Sequence, residues 1–430
     1  MRDAILGRPA ADWDLATDAR PDRILALFPG AVYENRFGTV AIRDGATTHQ
    51  VTTFRSDHEY ADFRRPHHVE FGDEIEVDLG RRDFTVNAMA WGADALPAAT
   101  GAGGPAMPTP RLVDPHRGAA DVAARTLRAV GDPATRFRED ALRIVRAIRL
   151  ATTLDFAIEP ATMRALETEA GLVAHLSGER IAAELEKLLT ASNPSIGLRL
   201  LADTGVLAVI SPELAAQRGI AQNKIEGEDL LDHTLRAVDA APAGRPVVRL
   251  AALVHDIGKP ATIDDGPFRG HESVGADLAA ALLERLHLPR AASDRVVELV
   301  RQHMFSYEST WSDAAVRRFI GKMAAIGDGM MDELLDLREA DNVGSGLPAG
   351  AGRLDELRAR IAAELRADLV LDRGGLAIDG TDLIDALGLT PGPRLGRILE
   401  GLVEQVIADP ALNERPTLLL LAQAALTEDR

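Results

Sequence analysis

The spacing of apolar residues changes once along this chain, and that change sets the fold class. Up to about Trp91, β-branched residues fall in short runs such as "GTVAIR" and "HQVTTFR", the pattern of strands. From Phe137 onward the period is helical. Leu142, Val145, Ile148 and Leu150 mark one face, and Arg143, Arg146 and Arg149 form a stripe three residues apart beside it. A sheet-bearing part followed by long helices is an α+β chain.

At 430 residues the chain holds about three domains of roughly 150 residues. A hydrophobic share of 46% beside 27% charged residues provides several cores and excludes global disorder. There is no cysteine, so disulfides, thiolate zinc sites and cysteine nucleophiles are excluded, and any metal is held by oxygen or imidazole. The longest apolar run, at Leu418-Leu419-Leu420-Leu421, is too short for a bilayer, and the first residues carry charge; the expectation is a cytoplasmic protein without a membrane partner. A net charge of −18 excludes a general polyanion-binding surface, so a nucleic-acid partner must be met by locally concentrated basic residues. The Arg-rich stretch from His116 to Leu150 is such a place.

Two spacers punctuate the pattern. "LPAATGAGGPAMPTP", residues 96–110, reads as an inserted flexible loop, and "GSGLPAGAG", residues 344–352, as a linker before a last helical segment. Ser177 is placed to cap the helix "GERIAAELEKLL", with Glu179 in its first turn.

The first candidate site is Asp12-x-Asp14. On a strand these carboxylates would share a face, with Trp13 and Leu15 turned to the core, and such a pair can hold Mg²⁺ for phosphoryl chemistry. Alone, D-x-D reads more readily as an acidic strand edge. Its neighbours alter the balance: "RDAILGRPAADWDLAT", "FGTV", "VTTFRSD", "EYADFRRP", "RRDFTVNAMAW", "LVDP" and "FREDALRIVRAIRLATTLDFAI" follow in order. Together they resemble the bacterial class II tRNA nucleotidyltransferase and poly(A) polymerase family, whose head is similar to the DNA polymerase beta palm.

The resemblance implies a small mixed-sheet head over 1–118, a helical neck and RNA-binding body over 119–220, an HD domain over 221–345 and a helical tail over 346–430. It implies that Asp12 and Asp14 hold Mg²⁺, that Arg2 lies near the triphosphate, and that Arg82, Asp83 and Asn87 contact phosphates and sugar. Asp140 and Arg143 match the pair that reads the incoming base, and Arg146 matches a further nucleotide contact. An aspartate and an arginine together offer acceptors and donors that imitate a base-pair edge. The bland reading of the same stripe is a salt-bridged helix face with Glu139 and Asp140 as partners.

Two departures stand out. The family carries a strand ending in two glycines before the Arg-Asp that is here Arg2-Asp3, whereas Met1 precedes Arg2; the expectation is a phosphate cradle lacking part of its backbone, with a start called too far downstream as one explanation. Gln50 stands at the position of a third acidic residue, offering a carbonyl oxygen but no charge, with Asp57 and Glu59 as conceivable substitutes.

Further along, five of the chain's eleven histidines lie between His233 and His303. His233, His255-Asp256 in "LVHDIGK" and Asp341 in "EADNVG" resemble the HD phosphohydrolase pattern, which implies a divalent metal (Mg, Mn or Ni) that activates water against a phosphoester. His271 and His303 stand where that family binds substrate or a second metal, and His287 reads as a core residue.

These features imply template-independent transfer of CMP and AMP from CTP and ATP to the tRNA 3′ end. The alternatives are A-only addition, poly(A) synthesis, an HD phosphohydrolase with an impaired head, and a tRNA-binding protein without catalysis. The segment "EYADFRRPHHVEF" resembles a flexible loop that CC-only members shorten, which favours CCA or A addition.

Overall fold

The structure is a computed structural model, and it describes residues 1–9, 13–35, 37–45, 47–60, 66–92, 110–222, 224–265, 268–366 and 372–428. Asp12 therefore lies outside the described residues, as does the expected loop over 96–110 except for Pro110.

The chain divides into two compact units, residues 1–216 with 282–288, and residues 217–281 with 289–430. The first unit opens with α1 (Arg2–Ile5), β1 (Leu15–Thr17), α2 (Pro21–Leu27), β2 (Val32–Asn35), β3 (Thr39–Asp44) and β4 (Thr47–Thr53). The strands form a mixed sheet in the order β1-β4-β3-β2, with β1 parallel to β4 and the remaining pairs antiparallel. Val40 and Ile24 are buried where α2 covers β3. Thr53, fully buried at the end of β4, donates its hydroxyl to the Ala19 carbonyl at 2.7 Å and closes the turn after β1.

A hairpin of β5 (Arg55–Tyr60) and β6 (Pro66–Phe71) follows, then α3 (Ile75–Gly80) and a short 3₁₀ turn at Thr85–Asn87. The pair β7 (Ala90–Gly92) and β8 (Arg111–Val113) leads to α4 (Gly118–Ala123). Gly118 is required here by close approach: a Cβ would stand 2.1 Å from the Thr85 carbonyl oxygen, so α4 lies directly on the 3₁₀ turn. Asp114 of "LVDP" accepts from the amides of Gly118 and Ala119 at 2.6 and 2.9 Å, satisfying N–H groups that a helix start leaves orphaned.

The helical part begins with α5 (Pro133–Glu139) and α6 (Leu142–Leu154), followed by α7 (Pro160–Glu169), α8 (Gly178–Leu189) and α9 (Pro194–Asp203). Ile144, Val145, Ala147, Ile148 and Ala151 bury the apolar face of α6, as its period requires. Ser177 is the N-cap residue of α8 by position, but its side chain makes no capping bond.

In the second unit, α10 (Leu230–Ala240), α11 (Pro246–Val254), α12 (His271–Arg285, whose residues from 282 on belong to the first unit), α13 (Arg290–Gln302) and α14 (Met330–Gly344) carry the clustered histidines and Asp341 within them or, for His255 and His303, at the C-cap. The Gly-rich segment after α14 is tied down rather than loose, because Asn342 donates to the carbonyls of Ala349 and Ala351 at 2.8 and 3.0 Å. The tail forms a core of its own, with Leu383, Leu402, Val406, Leu418 and Ala422 at its centre.

Candidate nucleotide site and metal centre

Four of the residues expected to hold nucleotide form one connected network. Arg2 donates through Nη1 to Asn87 Oδ1 at 2.6 Å, and the Asn87 amide donates to Asp83 Oδ1 at 3.0 Å. Asp83 also accepts the Phe84 amide at 2.8 Å, and its Oδ2 lies 2.7 Å from Arg146 Nε. Elements 144 residues apart in sequence, from Arg2 to Arg146, thus converge on one carboxylate. Asp3 holds Arg2 from its other side at 3.0 and 3.1 Å. Arg82 belongs to a neighbouring knot: buried Asp78 takes Arg82 at 3.3 Å and Arg81 at 2.8 Å.

The Arg stripe of α6 is divided among three carboxylates. Arg143 pairs with Glu139 at 2.7 Å and donates to the carbonyls of Arg136 and Arg81 at 3.1 and 2.9 Å; Arg146 faces Asp83; Arg149 pairs with Glu184 of α8 at 2.5 Å. Among the described residues no side-chain hydrogen bond or ion pair joins Asp140 to Arg143, which meet only through the bond from the Arg143 amide to the Asp140 carbonyl at 3.0 Å. Asp140 instead receives Arg180 of α8, whose Nη2 sits 3.0 and 3.1 Å from its two oxygens, and it accepts the Leu142 amide at 3.1 Å. Sequence reasoning missed Arg180. Its one local signal is a cation in the first turn of a helix, where the macrodipole disfavours positive charge unless a partner compensates.

Asp14 is exposed just before β1, outside the strand, and Trp13 and Leu15 are 57% and 44% exposed. The expectation that these two pack inward is therefore corrected: β1 is a three-residue edge strand, and both side chains stay largely exposed. The register Leu15↔Val51 sets Asp14 level with Gln50 on β4. Gln50 donates to Glu34 Oε2 at 2.9 Å, a carboxylate on β2 that sequence spacing did not suggest. The side chains of Asp57 and Glu59 lie outside the described residues.

In the second unit, His233, His255, Asp256 and Asp341 meet as expected, and His271 and His303 join them, all buried. Asp256 is the centre. Its Oδ2 lies 3.1 Å from His233 Nε2 and 3.2 Å from His255 Nε2; its Oδ1 lies 3.2 Å from His271 Nε2 and 3.7 Å from His303 Nε2. Asp341 Oδ1 adds to the first group, 3.3 Å from His233 and 3.7 Å from His255. Lys259 of "HDIGK" grips Asp256 Oδ2 at 2.6 Å, and Arg338 holds the outer oxygen of Asp341 at 2.9 Å.

The tautomers explain why these groups suit a cation. His255, His271 and His303 place Nδ1 2.8, 2.7 and 2.6 Å from the carbonyls of Ala252, Phe268 and Val300, which only an N–H can satisfy. Their Nε2 atoms turn inward, and His271 Nε2 stands 3.2 Å from His303 Nε2 with Asp256 Oδ1 beside both. Lone pairs converge there without a donor between them. A divalent ion bound at about 2.0–2.2 Å sets neighbouring ligand atoms about 3.0–3.5 Å apart, and the inward atoms here lie 3.1–3.3 Å apart except in the pairs His303–Asp256 and His255–Asp341, at 3.7 Å. The two candidate groups, His233–His255–Asp256 and Asp256–His271–His303, share Asp256.

Electrostatics agree with that reading. Burial works against charging His255, but the carboxylates of Asp256 and Asp341 raise it to about 9, so in the ion-free centre it holds the proton that an ion would displace. Burial lowers His233 and His303. Asp256 and Asp341 stay ionised despite burial because His255 faces both and Lys259 adds its charge to Asp256. His287 stands apart: it is exposed at the end of α12 with a positive φ of 53°, which corrects its reading as a core residue.

Comparison with known proteins matches this architecture. Residues 1–128 match the family described as Poly A polymerase head domain, 155–218 the Probable RNA and SrmB-binding site of polymerase A, and 230–345 the HD domain. The chain is 32% identical over 430 residues to a CCA-adding enzyme of Levilactobacillus brevis, covering 100% of this chain and 92% of the relative. It is also 32% identical over 429 residues to an A-adding tRNA nucleotidyltransferase of Deinococcus radiodurans, covering 94% and 89%. Among solved structures, the Bacillus stearothermophilus CCA-adding enzyme in complex with CTP superposes with a TM-score of 0.68 at 27% identity, covering 100% of this chain and 92% of that one. With its head, RNA-binding and HD regions in this order and a relative matched from end to end, the chain belongs to the bacterial CCA-adding enzyme family.

Proposed function

We infer that this protein completes and repairs the CCA terminus of tRNA in the cytoplasm, transferring CMP and AMP from CTP and ATP to the RNA 3′ end and releasing pyrophosphate. The observation that carries the reading is the end-to-end match at 32% identity to a CCA-adding enzyme. In this reading residues 1–118 carry the transfer site, 119–220 the neck and RNA-binding body, 221–345 the HD domain and 346–430 the tail.

The network of Arg2, Asn87, Asp83 and Arg146, with Arg82 beside it, would bind and orient the triphosphate and sugar. Preorganised donors of this kind lower the barrier because they need not rearrange as charge develops. Asp12 and Asp14 are the residues that would hold Mg²⁺, which supplies charge neutralisation on the phosphates and a lowered pKa for the attacking 3′-hydroxyl. Asp140 and Arg143 would read the base. A polynucleotide template is unnecessary because protein acceptors and donors stand in for one.

The test is incorporation of labelled nucleotide into tRNAs lacking the last one, two or three residues. CMP should enter acceptors short of two or three nucleotides, and AMP should enter once both cytidines are present. AMP incorporation alone would replace CCA addition by A addition, a homopolymeric tail would indicate poly(A) synthesis, and no incorporation would leave the HD domain as the active part.

For the HD centre we propose first-row transition ions, Mn²⁺ or Ni²⁺ in preference to Mg²⁺, because imidazole-rich sets suit them and Mg²⁺ selects oxygen. Asp256 would bridge two ions, and the centre would activate water against a phosphoester. Metal analysis after dialysis against Mn²⁺ or Ni²⁺ should return about two equivalents per chain, and His271→Ala should reduce this to about one. Equal content in both proteins would remove His271 from the ligand set.

A further inference from the structure

We propose that Lys224 is the anion-binding residue of the HD centre, a cation placed to receive the phosphoryl oxygens of a phosphomonoester. The inference rests on the reading of that centre as one that activates water against a phosphoester.

Arg338, Asp341 and Ser345 follow one another at spacings of three and four residues along α14 and its end, so they share a face with Asp341 in the middle. Arg338 holds the outer oxygen of Asp341 at 2.9 Å. On the other side the Ser345 amide donates to the Asp341 carbonyl at 2.9 Å, and the Ser345 hydroxyl accepts Lys224 Nζ at 2.8 Å. Lys224 comes from the segment before α10, and that segment is firmly seated. Gly346 has a φ of +75°, and a Cβ there would stand 2.8 Å from Ile225 Cδ1, so Ile225 packs directly on the turn that carries Ser345. Gly344 brings the same turn against His233, where a Cβ would stand 2.9 Å from the His233 carbonyl oxygen. Lys224 is thereby fixed beside the centre, and it stays solvent-exposed, so an arriving ligand can reach it.

The balance of charge sets Lys224 apart from its neighbours. Lys259 is engaged by Asp256 at 2.6 Å and Arg338 by Asp341, one cation for each carboxylate. Lys224 is a third cation in the same field. Partial desolvation lowers its pKa below the ordinary lysine value, Lys259 and Arg338 lower it further, and Asp341 and Asp256 oppose them. Among the described residues it forms no ion pair; its hydrogen bond goes to a neutral hydroxyl. A lysine set among other cations is unfavourable unless an anion completes the site, and a divalent ion would only add to the positive charge. Three cations against two carboxylates leave the site positive before any ion is added. A phosphomonoester, close to dianionic at neutral pH, offsets that excess better than a monoanionic diester, and its terminal oxygens accept well from an ammonium. In hydrolysis the oxygen of water bonds to phosphorus, the ester P–O bond breaks and the leaving oxygen takes up a proton of that water, giving an alcohol and inorganic phosphate. Lys224 holds a terminal oxygen of the group throughout.

The experiment uses the full chain loaded with Mn²⁺ and compares Lys224→Met and Lys224→Arg with the wild type. It measures calorimetric binding of inorganic phosphate, kcat and KM for p-nitrophenyl phosphate and bis(p-nitrophenyl) phosphate, and bound Mn²⁺. In Lys224→Met the phosphate Kd and the KM for the monoester should each rise about tenfold, the loss of one charge-assisted hydrogen bond, with kcat and the KM for the diester changed less. Mn²⁺ content should not change, which separates the loss from unfolding of the centre. Lys224→Arg keeps the charge and should stay within about threefold of the wild type. A nucleoside 3′-monophosphate and a tRNA ending in a 3′-phosphate separate the free and the RNA-borne source of the group, and whichever is hydrolysed should show the same rise in KM. A phosphate Kd and monoester KM within about threefold of wild type in Lys224→Met would overturn the role of Lys224 while preserving hydrolysis at the centre. Equal losses on monoester and diester would overturn the preference for a dianion, and a fall in Mn²⁺ content would make Lys224 a support of the ion instead. Phosphate binding that depends on Lys224 without hydrolysis of any ester would keep the anion site and overturn the hydrolytic reading. Absence of phosphate binding by the wild type would overturn the inference itself.

Discussion

Replacing Gly258 by alanine is expected to lower the metal content of the HD centre to less than about half and to destabilise its unit. A Cβ at Gly258 would lie 2.3 Å from the His271 carbonyl oxygen, 2.6 Å from the Gly275 nitrogen and 2.9 Å from the Gly275 Cα. Every obstacle is backbone, so no side-chain rotation relieves the clash and α12 must retreat. Gly275 is the complementary glycine on α12 that permits the approach, its own Cβ position meeting Gly258 nitrogen at 3.3 Å. Retreat carries His271 away from Asp256, now 3.2 Å from it, and separates the lone pairs that would surround an ion. Overpacking of this kind costs about 1–3 kcal/mol and more when backbone must move. Metal analysis of Gly258→Ala should return less than about half of the wild-type content, with a lower thermal midpoint. Wild-type content and midpoint together would show that the approach of α12 to the "HDIGK" turn does not organise the centre.

In the head, Asp83→Asn should reduce kcat/KM for both CTP and ATP by about 30-fold or more, corresponding to about 2 kcal/mol, without selective loss of either nucleotide. Asp83 accepts from the Phe84 amide and from Asn87 through one oxygen and faces Arg146 through the other. An amide preserves shape but presents N–H groups to one of these donors and removes the charge opposite Arg146. Arg146 is 43% exposed and solvent screens part of the loss, so the larger share comes from misdirecting Asn87 and, through it, Arg2. Equal effects on CTP and ATP would distinguish this network from Asp140 and Arg143, the residues proposed to read the base, whose loss should change the ratio between nucleotides. A kcat/KM within about threefold of wild type would remove Asp83 from the nucleotide site.

Much of the molecule was legible before its structure. The strand pattern at Thr39–Asp44 and Thr47–Thr53 and the helical period of Leu142–Leu154 appear where their periodicity placed them, because each buries one face against its neighbours. The HD set of His233, His255, Asp256 and Asp341 was readable as well, since His-Asp at the end of an apolar helix has little use other than as a buried polar site. Less was legible at the Asp pair. Alternation suggested that Trp13 and Leu15 pack inward, yet alternation states only that neighbours face opposite ways, and for a short edge strand both faces can stay open.

By itself the sequence determined the division into a sheet-bearing head and helical parts, the absence of thiol chemistry, and the chemical types of the groups at both sites. Tertiary structure alone decided the pairings: Arg180 with Asp140 rather than Arg143 with Asp140, Arg2 with Asn87, Arg146 with Asp83, and His271 and His303 with the free oxygen of Asp256. The physical reason is range. Periodicity reports which face of an element is buried, over a few residues, whereas each of these contacts joins separate elements whose closeness is set by helix packing and by backbone approach at Gly118, Gly178 and Gly258.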